Sequence, residues 1–415
     1  MQEYIGNALI KSELNSGNNG EEEEVSKIYA NKSFKRAKKY VIFLLLSFLL
    51  ISLIIFIFYL KEERGIESKI NYIGPENYSF TAIYKVESFN QSISLIRRLP
   101  HNDQETFNII RMFINNEEVS PCVNYTFSSP GIYTVNFVIN DILKSTYLNK
   151  MFADITNMTS ISFAKNFNTK NIISMISMFY NCRQLTSIDL RYFDTSKVIN
   201  LNSLFDNCSS LTSLDLTNFN TENVINFNNI FYGCNKLSAI NISNWNTKNA
   251  KYFLAMFGSC YSLTSIDLSS FNTENVIYMI YMFSKCTSLT SLNLSNFNTE
   301  NVEAMTNMFY GCSSLTSLDL SIFDTNKVYE MSYMFYGCTS LKSLNISNFS
   351  TQNVKCADKI VFYCQSLTLI DFSHFDGFNI DFFDNFPKYG KMKVNEKFVK
   401  EIAKKLPEWI IIPAN

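Results

Sequence analysis

Between about residues 151 and 375 the apolar positions of the chain return on a fixed beat. Cys182, Cys208, Cys234, Cys260, Cys286, Cys312, Cys338 and Cys364 are spaced by 26 residues without an insertion. A leucine follows each cysteine by three, from Leu185 to Leu367. A large ring follows each by eleven: Phe193, Phe219, Trp245, Phe271, Phe297, Phe323, Phe349 and Phe375. A looser first copy carries Met151, Phe152, Met158 and Phe167, with Ile155 at the cysteine place. A strict period of this length predicts a solenoid, whose units bury their apolar side only by stacking.

Within one unit, "LTSLDL" (Leu211 to Leu216) predicts a strand, with Leu214 and Leu216 on one side and Ser213, Asp215 and Thr217 on the other. "NTEN" is turn chemistry, with Thr221 placed to cap a helix and Glu222 in its first turn. Val224, Phe227, Phe231 and Cys234, spaced by 3, 4 and 3, then predict one face of a short helix. Gly233 stands where that helix would end in a left-handed residue. The expected fold is an α/β solenoid: a leucine-rich-repeat array of strand plus short helix units.

The flanks set the organisation. "VIFLLLSFLLISLIIFIFYL" (Val41 to Leu60) has no charge and is long enough to span a bilayer. Its leader is longer and its apolar run more extended than a cleaved signal peptide would have. Lys32, Lys35, Arg36, Lys38 and Lys39 crowd its N-terminal side. The positive-inside bias therefore predicts a single-pass type II signal anchor, with 1–40 a disordered cytoplasmic tail and the rest at the cell surface. Residues 61–78 read as a stalk. From 79 to 150 strand patterns such as "IYTVNFVI" predict a small β-sandwich-like domain that also caps the array. Residues 151–375 are the repeats. Residues 376–415 form a C-terminal cap, with Val394, Phe398, Val399, Ile402 and Leu406 spaced as on one helical face.

Charge and chemistry change this picture little. Lys plus Arg number 36 and Asp plus Glu 37, so no basic surface for nucleic acid is implied. Two histidines, His101 and His374, leave no His-based triad or zinc-hydrolase motif. No phosphate-binding glycine loop or nucleophile elbow occurs, and neither an enzyme nor a cofactor is expected. The cysteines read as packed thiols, with bridges between neighbouring units the alternative. Asp189, Asp215, Asn241, Asp267, Asn293, Asp319, Asn345 and Asp371 form one column on the solvent side of the strands. As equivalent groups they lack the differing environments of an acid/base pair. Asp215, Asn241, Asp267, Asn293 and Asp319, at the centre of the array, are the candidate ligand face. Asn77, Asn90, Asn124 and Asn157 are candidate glycosylation sites, and Asn241, Asn293 and Asn345 are themselves in sequons.

The unit "SNFNTENVEAMTNMFYGCSSLTSLDL" (Ser295 to Leu320) resembles the BspA-like leucine-rich repeats of bacterial, mycoplasmal and protist surface proteins. The resemblance covers about 151–375. It implies a cell-surface protein for adhesion or recognition and brings no catalytic residues. The function expected is a membrane-anchored protein, held in the lipid bilayer by 41–60, that recognises an extracellular protein or glycan. A surface-coat protein without a discrete ligand and a signalling receptor are the alternatives.

Overall fold

The computed structural model describes residues 78–97, 109–139, 146–375 and 386–414. The expected tail (1–40), anchor (41–60) and nearly all of the stalk (61–78) lie outside them. Among the described residues no helix is long and apolar enough to cross a membrane.

Strands β1 (Tyr78–Val86), β2 (Gln91–Ser94), β3 (Ile109–Ile114), β4 (Glu117–Val119), β5 (Asn124–Phe127) and β6 (Gly131–Ile139) precede the repeats. They do not form a separate sandwich. β1 pairs antiparallel with β6 on one edge and with β7 (Met158–Phe163) on the other. β7 in turn pairs parallel with β8 (Ser187–Asp189), the strand of the next coil. The six-stranded sheet β4-β3-β6-β1-β7-β8 thus runs from the N-terminal segment straight into the coils, while β2 and β5 pair beside it. Phe80 of β1 packs on Phe137, Phe152, Phe163 and Phe167, so the first coil is closed by aromatic contact as well as by pairing.

The strand half of each coil forms as the alternation predicts, in β9 (Ser213–Asp215), β10 (Ala239–Asn241), β11 (Ser317–Asp319), β12 (Ser343–Asn345) and β13 (Leu369–Phe372). β9 pairs with β10, and β11 to β13 with one another, in parallel and in the 26-residue register. After the last repeat, β14 (Gly390–Val394) and β15 (Trp409–Pro413) add two more parallel strands. Between them lies the helix α1 (Val399–Lys405), with Ile402 buried. Val394 belongs to the strand, so the expected helical face begins only after the 3-10 turn Glu396–Phe398.

The other half of the coil corrects the expectation of strand plus helix. No helix follows "NTEN" in any repeat; the protein is a β-solenoid. Met178 N–H donates to Met175 O at 3.2 Å and Cys182 N–H to Phe179 O at 3.2 Å, closing successive turns. The alternate N–H groups leave the coil altogether. Met175, Ser177, Phe179 and Asn181 donate to Asn200, Asn202, Leu204 and Asp206 O of the next coil at 2.7–3.1 Å. Parallel bridges link the same place in each coil from Tyr147 through Ser174 and Asn200 to Cys356 without a gap.

Two left-handed residues per coil make this path. One column, Ser177, Ser203, Asn229, Ala255, Tyr281, Asn307, Tyr333 and Lys359, has φ of +50° to +60°. The second, just before each cysteine, has φ of +60° to +72° and includes Gly233, Gly311 and Gly337. A left-handed residue every fourth position breaks an α-helix but preserves its side-chain spacing of three and four. The apolar pattern therefore imitates a helix. Most of these residues carry a Cβ, and the conformation costs each about 1 kcal/mol or more. The bonds to both neighbouring coils hold them there.

Thr221 is no helix cap. Its column, Thr169 to Thr325, is buried, and each hydroxyl donates to a carbonyl of the next coil. Thr273 does so to Asn298 O at 2.7 Å and accepts from Asn298 N–H at 2.8 Å. Thr273→Val keeps the shape and removes both bonds, leaving a buried donor and acceptor unmet. A loss of about 2 kcal/mol is expected in denaturant unfolding. Thr273→Ser, which keeps the hydroxyl, should lose less than half as much.

Candidate functional site

The column of carboxylates and amides is first a turn device. Asp215 Oδ1 accepts from the backbone N–H of Thr217 at 3.1 Å and from its hydroxyl at 2.9 Å. Asp267 accepts from Ser269 N–H at 2.9 Å, Asn293 from Ser295 N–H at 3.0 Å, and Asp319 from Ser321 N–H at 3.0 Å. Asn241 makes the same bond to Ser243 at 3.5 Å, with the Ser243 hydroxyl closer at 3.0 Å. Each side chain turns the chain at the same place in its coil by bonding two residues ahead. Asp and Asn interchange in this column because both offer Oδ1.

At two places, Asp267 and Asp319, these bonds also lower the carboxyl pKa. Asp267 lies below the usual range chiefly through the Ser269 side chain and backbone N–H; Asp319 does so through the same groups of Ser321. With folded values below unfolded ones, their contribution is present above about pH 4 and lost as pH falls further. Asp267→Asn, which keeps Oδ1 but not the charge, should still fold at pH 7. Asp267→Ala, which loses Oδ1 and the bonds it accepts, should be less stable than the parent there. In thermal melts, the gap between parent and Asp267→Ala should shrink as pH drops from 5 to 2.

Between β10 and β11 the strand ladder opens. Residues 265–268 and 291–294 form no strand, and the coil-to-coil bonds there are long, at 3.3 Å (Thr290 N–H to Thr264 O) and 3.5 Å (Thr316 N–H to Thr290 O). A shallow groove of ≈ 120 Å³ lies in this opening and brings Asp267 and Asn293 together with Ser269, Ser295 and Asn296. Beside it, the Ser270 hydroxyl is buried without a hydrogen-bond partner. Asn218 and Asn296, its counterparts in other coils, reach back to carbonyls of the preceding coil, which serine is too short to do. Asp215 and Asn241 are neighbours across β9 and β10, and Asp319 opens the next ladder.

The turn side carries a stack of rings. Phe179, Phe205, Phe231, Phe257, Phe283, Phe309 and Phe335 stack with centroids 5.5–5.9 Å apart. At the corner after the strand, Trp245 and Phe271, Phe297 and Phe323, and Phe323 and Phe349 stand 6.3–6.5 Å apart. Phe167 and Phe193, in the same corner column at the start of the array, stand closer at 5.7 Å. The cysteine column lies on the turn side. All ten cysteines are free thiols, and the eight in register are buried. Each S–H points to the carbonyl of the phenylalanine one coil back, as from Cys260 to Phe231 O at 3.2 Å and from Cys312 to Phe283 O at 3.1 Å. Burial pushes these thiols up, Cys312 and Cys364 to about 12.

The sequence reading missed the outer surface of the turn ladder. All nine tyrosines between residues 246 and 375 fall from nine places before to one place after a cysteine. None is on the strand side. Tyr252 stacks on Tyr278 at 6.0 Å, and Tyr310 on Tyr336 at 5.0 Å. Counting tyrosines by column would have revealed this face.

Of the candidate glycosylation residues, Asn77 lies outside the described residues. Asn90 is exposed in a turn with φ of +54°, and Asn124 is exposed on β5, where it accepts from the Ser94 hydroxyl at 2.7 Å. Asn157 gives its amide N–H to Lys85 O at 2.9 Å, so glycan attachment there would compete with that bond. Among the described residues no group of three or more His, Cys, Asp or Glu is placed to hold a metal ion.

Comparison with known families matches residues 146–265, 211–316 and 253–375 to the family described as Mycoplasma protein of unknown function, DUF285. Together these cover more than half of the chain. The chain belongs to this family. No curated protein matches it. Among solved structures, a TLR13–ssRNA13 complex is similar over 59% of this chain and 42% of its own, at 13% identity and a TM-score of 0.24. An internalin, inlF, from Listeria monocytogenes is similar over 62% of this chain and 74% of its own, at 13% identity and a TM-score of 0.23. The chain thus spans less than half of the TLR13 chain.

Proposed function

We propose that this protein is a membrane-anchored recognition protein of the cell surface, held by residues 41–60 and working through the outer surface of its coils. The observation that carries the reading is the tyrosine-rich surface along an unbroken ladder. Tyrosine joins a large apolar ring to a hydroxyl at little conformational cost, and is enriched where proteins meet ligands. A rigid ladder presents such side chains already ordered, which lowers the entropic cost of binding. The resemblance of the repeats to BspA-like surface proteins, with the link to adhesion that it implies, supports this role. The groove at Asp267 and Asn293, between two successive coils, is the alternative working surface.

The test is made with the full chain expressed on a host cell. A tag after Asn415 should be removed by external protease and a tag before Lys32 should not. Cells bearing the protein should then adhere to target cells or immobilised matrix. Replacing Tyr281, Tyr310 and Tyr363 by Ser should abolish adhesion with folding retained. Changing Asp215, Asp267 and Asp319 together to Asn keeps the turn bonds and should leave adhesion intact. Loss only in the aspartate variant would move the site to the strand face. A protected C-terminal tag, or no adhesion to any surface, would overturn the reading.

A further inference from the structure

The aromatic surface is not uniform along the array. Its densest part lies on the last repeats, where Tyr336 is sandwiched between Tyr310 at 5.0 Å and Phe362 at 5.6 Å, all nearly parallel. Tyr333 and Tyr363 meet Tyr336 at 5.8 and 5.5 Å, the second edge-on. These ring contacts bring the Tyr310, Tyr333, Tyr336 and Tyr363 side chains into one patch, and the Tyr336 phenol is held above its usual value by burial and then by the other three phenols. Both faces of the Tyr336 ring are covered, which leaves its electropositive edge and its hydroxyl group for a partner.

The charge of this patch is one-sided. The segments 281–287, 307–313, 333–339 and 359–365 carry two lysines, Lys285 and Lys359, and no carboxylate. Both lysines are exposed; Lys285 lies against Gly311 with its Cγ 3.6 Å from where a Cβ would stand, and Lys359 Nζ sits 5.3 Å over the Phe362 ring. Asp358 borders the strip, and Glu303 and Glu330 lie further back in the same turn segments, nine and eight places before their cysteines. The backbone offers a partner nothing. The N–H groups of Lys285, Gly311 and Gly337 go to Tyr310, Tyr336 and Phe362 O of the next coil at 2.5–2.8 Å. A peptide strand cannot add to such an edge, since its main chain would find no mates. Recognition must pass through hydroxyls, ring edges and ammonium groups.

Building on the recognition reading, we infer that the strip from Lys285 to Tyr363 binds an acidic oligosaccharide, bearing carboxylate or sulfate groups. The two ammonium groups meet the acid groups, and the phenol hydroxyls meet the sugar hydroxyls. A polymer of many hydroxyls needs no main-chain pairing, and it is long enough to reach both lysines, which lie three coils apart.

The experiment titrates the purified full chain in detergent with hyaluronan fragments (carboxylate), heparin fragments (sulfate and carboxylate) and neutral dextran. Binding to one or both acidic sugars is expected, weakening as salt rises, with none to dextran. The preference between the two names the acid group. Lys285→Gln with Lys359→Gln should weaken binding about tenfold or more. Tyr310→Phe with Tyr336→Phe, which keeps the ring stack, should weaken it further. Binding unchanged in the lysine variant, or equal binding to dextran, would overturn the inference. So would a parent that ignores both acidic sugars. If that parent still adheres to cells, the recognition reading survives and this inference alone falls.

Discussion

Removing Asn235 to Cys260, one period of 26 residues, is expected to leave a folded protein one coil shorter. Removing only the first 13 of those residues is expected to unfold the array. The difference lies in what each deletion does to the neighbours. After the longer cut, Cys234 is followed by Tyr261 in the role of Asn235, and every later column still meets its own kind. The Phe231 ring then meets Phe283, and Thr221 meets the Asn272 carbonyl, in the geometry each has now with Phe257 and Asn246. After the shorter cut a turn segment would face a strand. Buried phenylalanines would meet Ser and Asp, and the left-handed positions would lose the bonds that hold them. One coil carries four forward turn-ladder bonds, a threonine bond and about ten buried apolar side chains, so its misplacement far exceeds the roughly 5–15 kcal/mol that a domain has in reserve. Circular dichroism and urea unfolding of the two deletions decide the matter. Equal stability in both, high or low, would show that the coils do not stack by register.

The second large effect is on thiol chemistry. A small alkylating reagent at pH 7.5 is expected to modify Cys356, then Cys122, and to leave the other eight cysteines untouched until the protein unfolds. Cys356 is exposed and Cys122 half-buried; the eight in register are closed off. Burial pushes Cys312 and Cys364 up to about 12, which lowers their thiolate fraction about 1,000-fold against an ordinary cysteine, before access is counted. Mass spectrometry should find two labels on the native protein and ten after denaturation without reductant. Fewer than ten in the denatured sample would reveal bridges between coils. Labelling of Cys260 or Cys286 in the native protein would mean that the central coils open.

Much of this architecture was legible. The cysteine, leucine and aromatic columns fixed the period, and the alternation in "LTSLDL" found the strands. The turn half was misread because Val224, Phe227, Phe231 and Cys234 have the spacing of a helix whether the intervening residue is right- or left-handed. Asn181, Gly233 and Gly311 advertise one left-handed column; Ala255, Tyr281 and Lys359 hide the other, since nothing in those residues favours φ above zero. Only the bonds to adjacent coils force it, and those exist only in the stacked array. The candidate site was half legible. Alternation of Asp and Asn was visible as a pattern of charge, yet its cause is the shared Oδ1 that bonds two residues ahead. The tyrosine surface was present as columns but was not sought on a segment taken for a plain helix.

The direction of the ladder bonds has an electrical consequence. In each turn segment four N–H groups, such as those of Met305, Asn307, Phe309 and Gly311, point toward the C-terminal neighbour, while one, that of Glu303, points back. Along the turn ladder the peptide dipoles of successive coils therefore add head to tail, as they do along an α-helix, while strand-side groups such as Thr316 N–H and Lys342 N–H point back. The turn ladder has poles. Its positive pole is at the C-terminal end, the end that carries Tyr336, Lys359 and Tyr363, and an approaching anion would be turned toward that end before it touched a side chain.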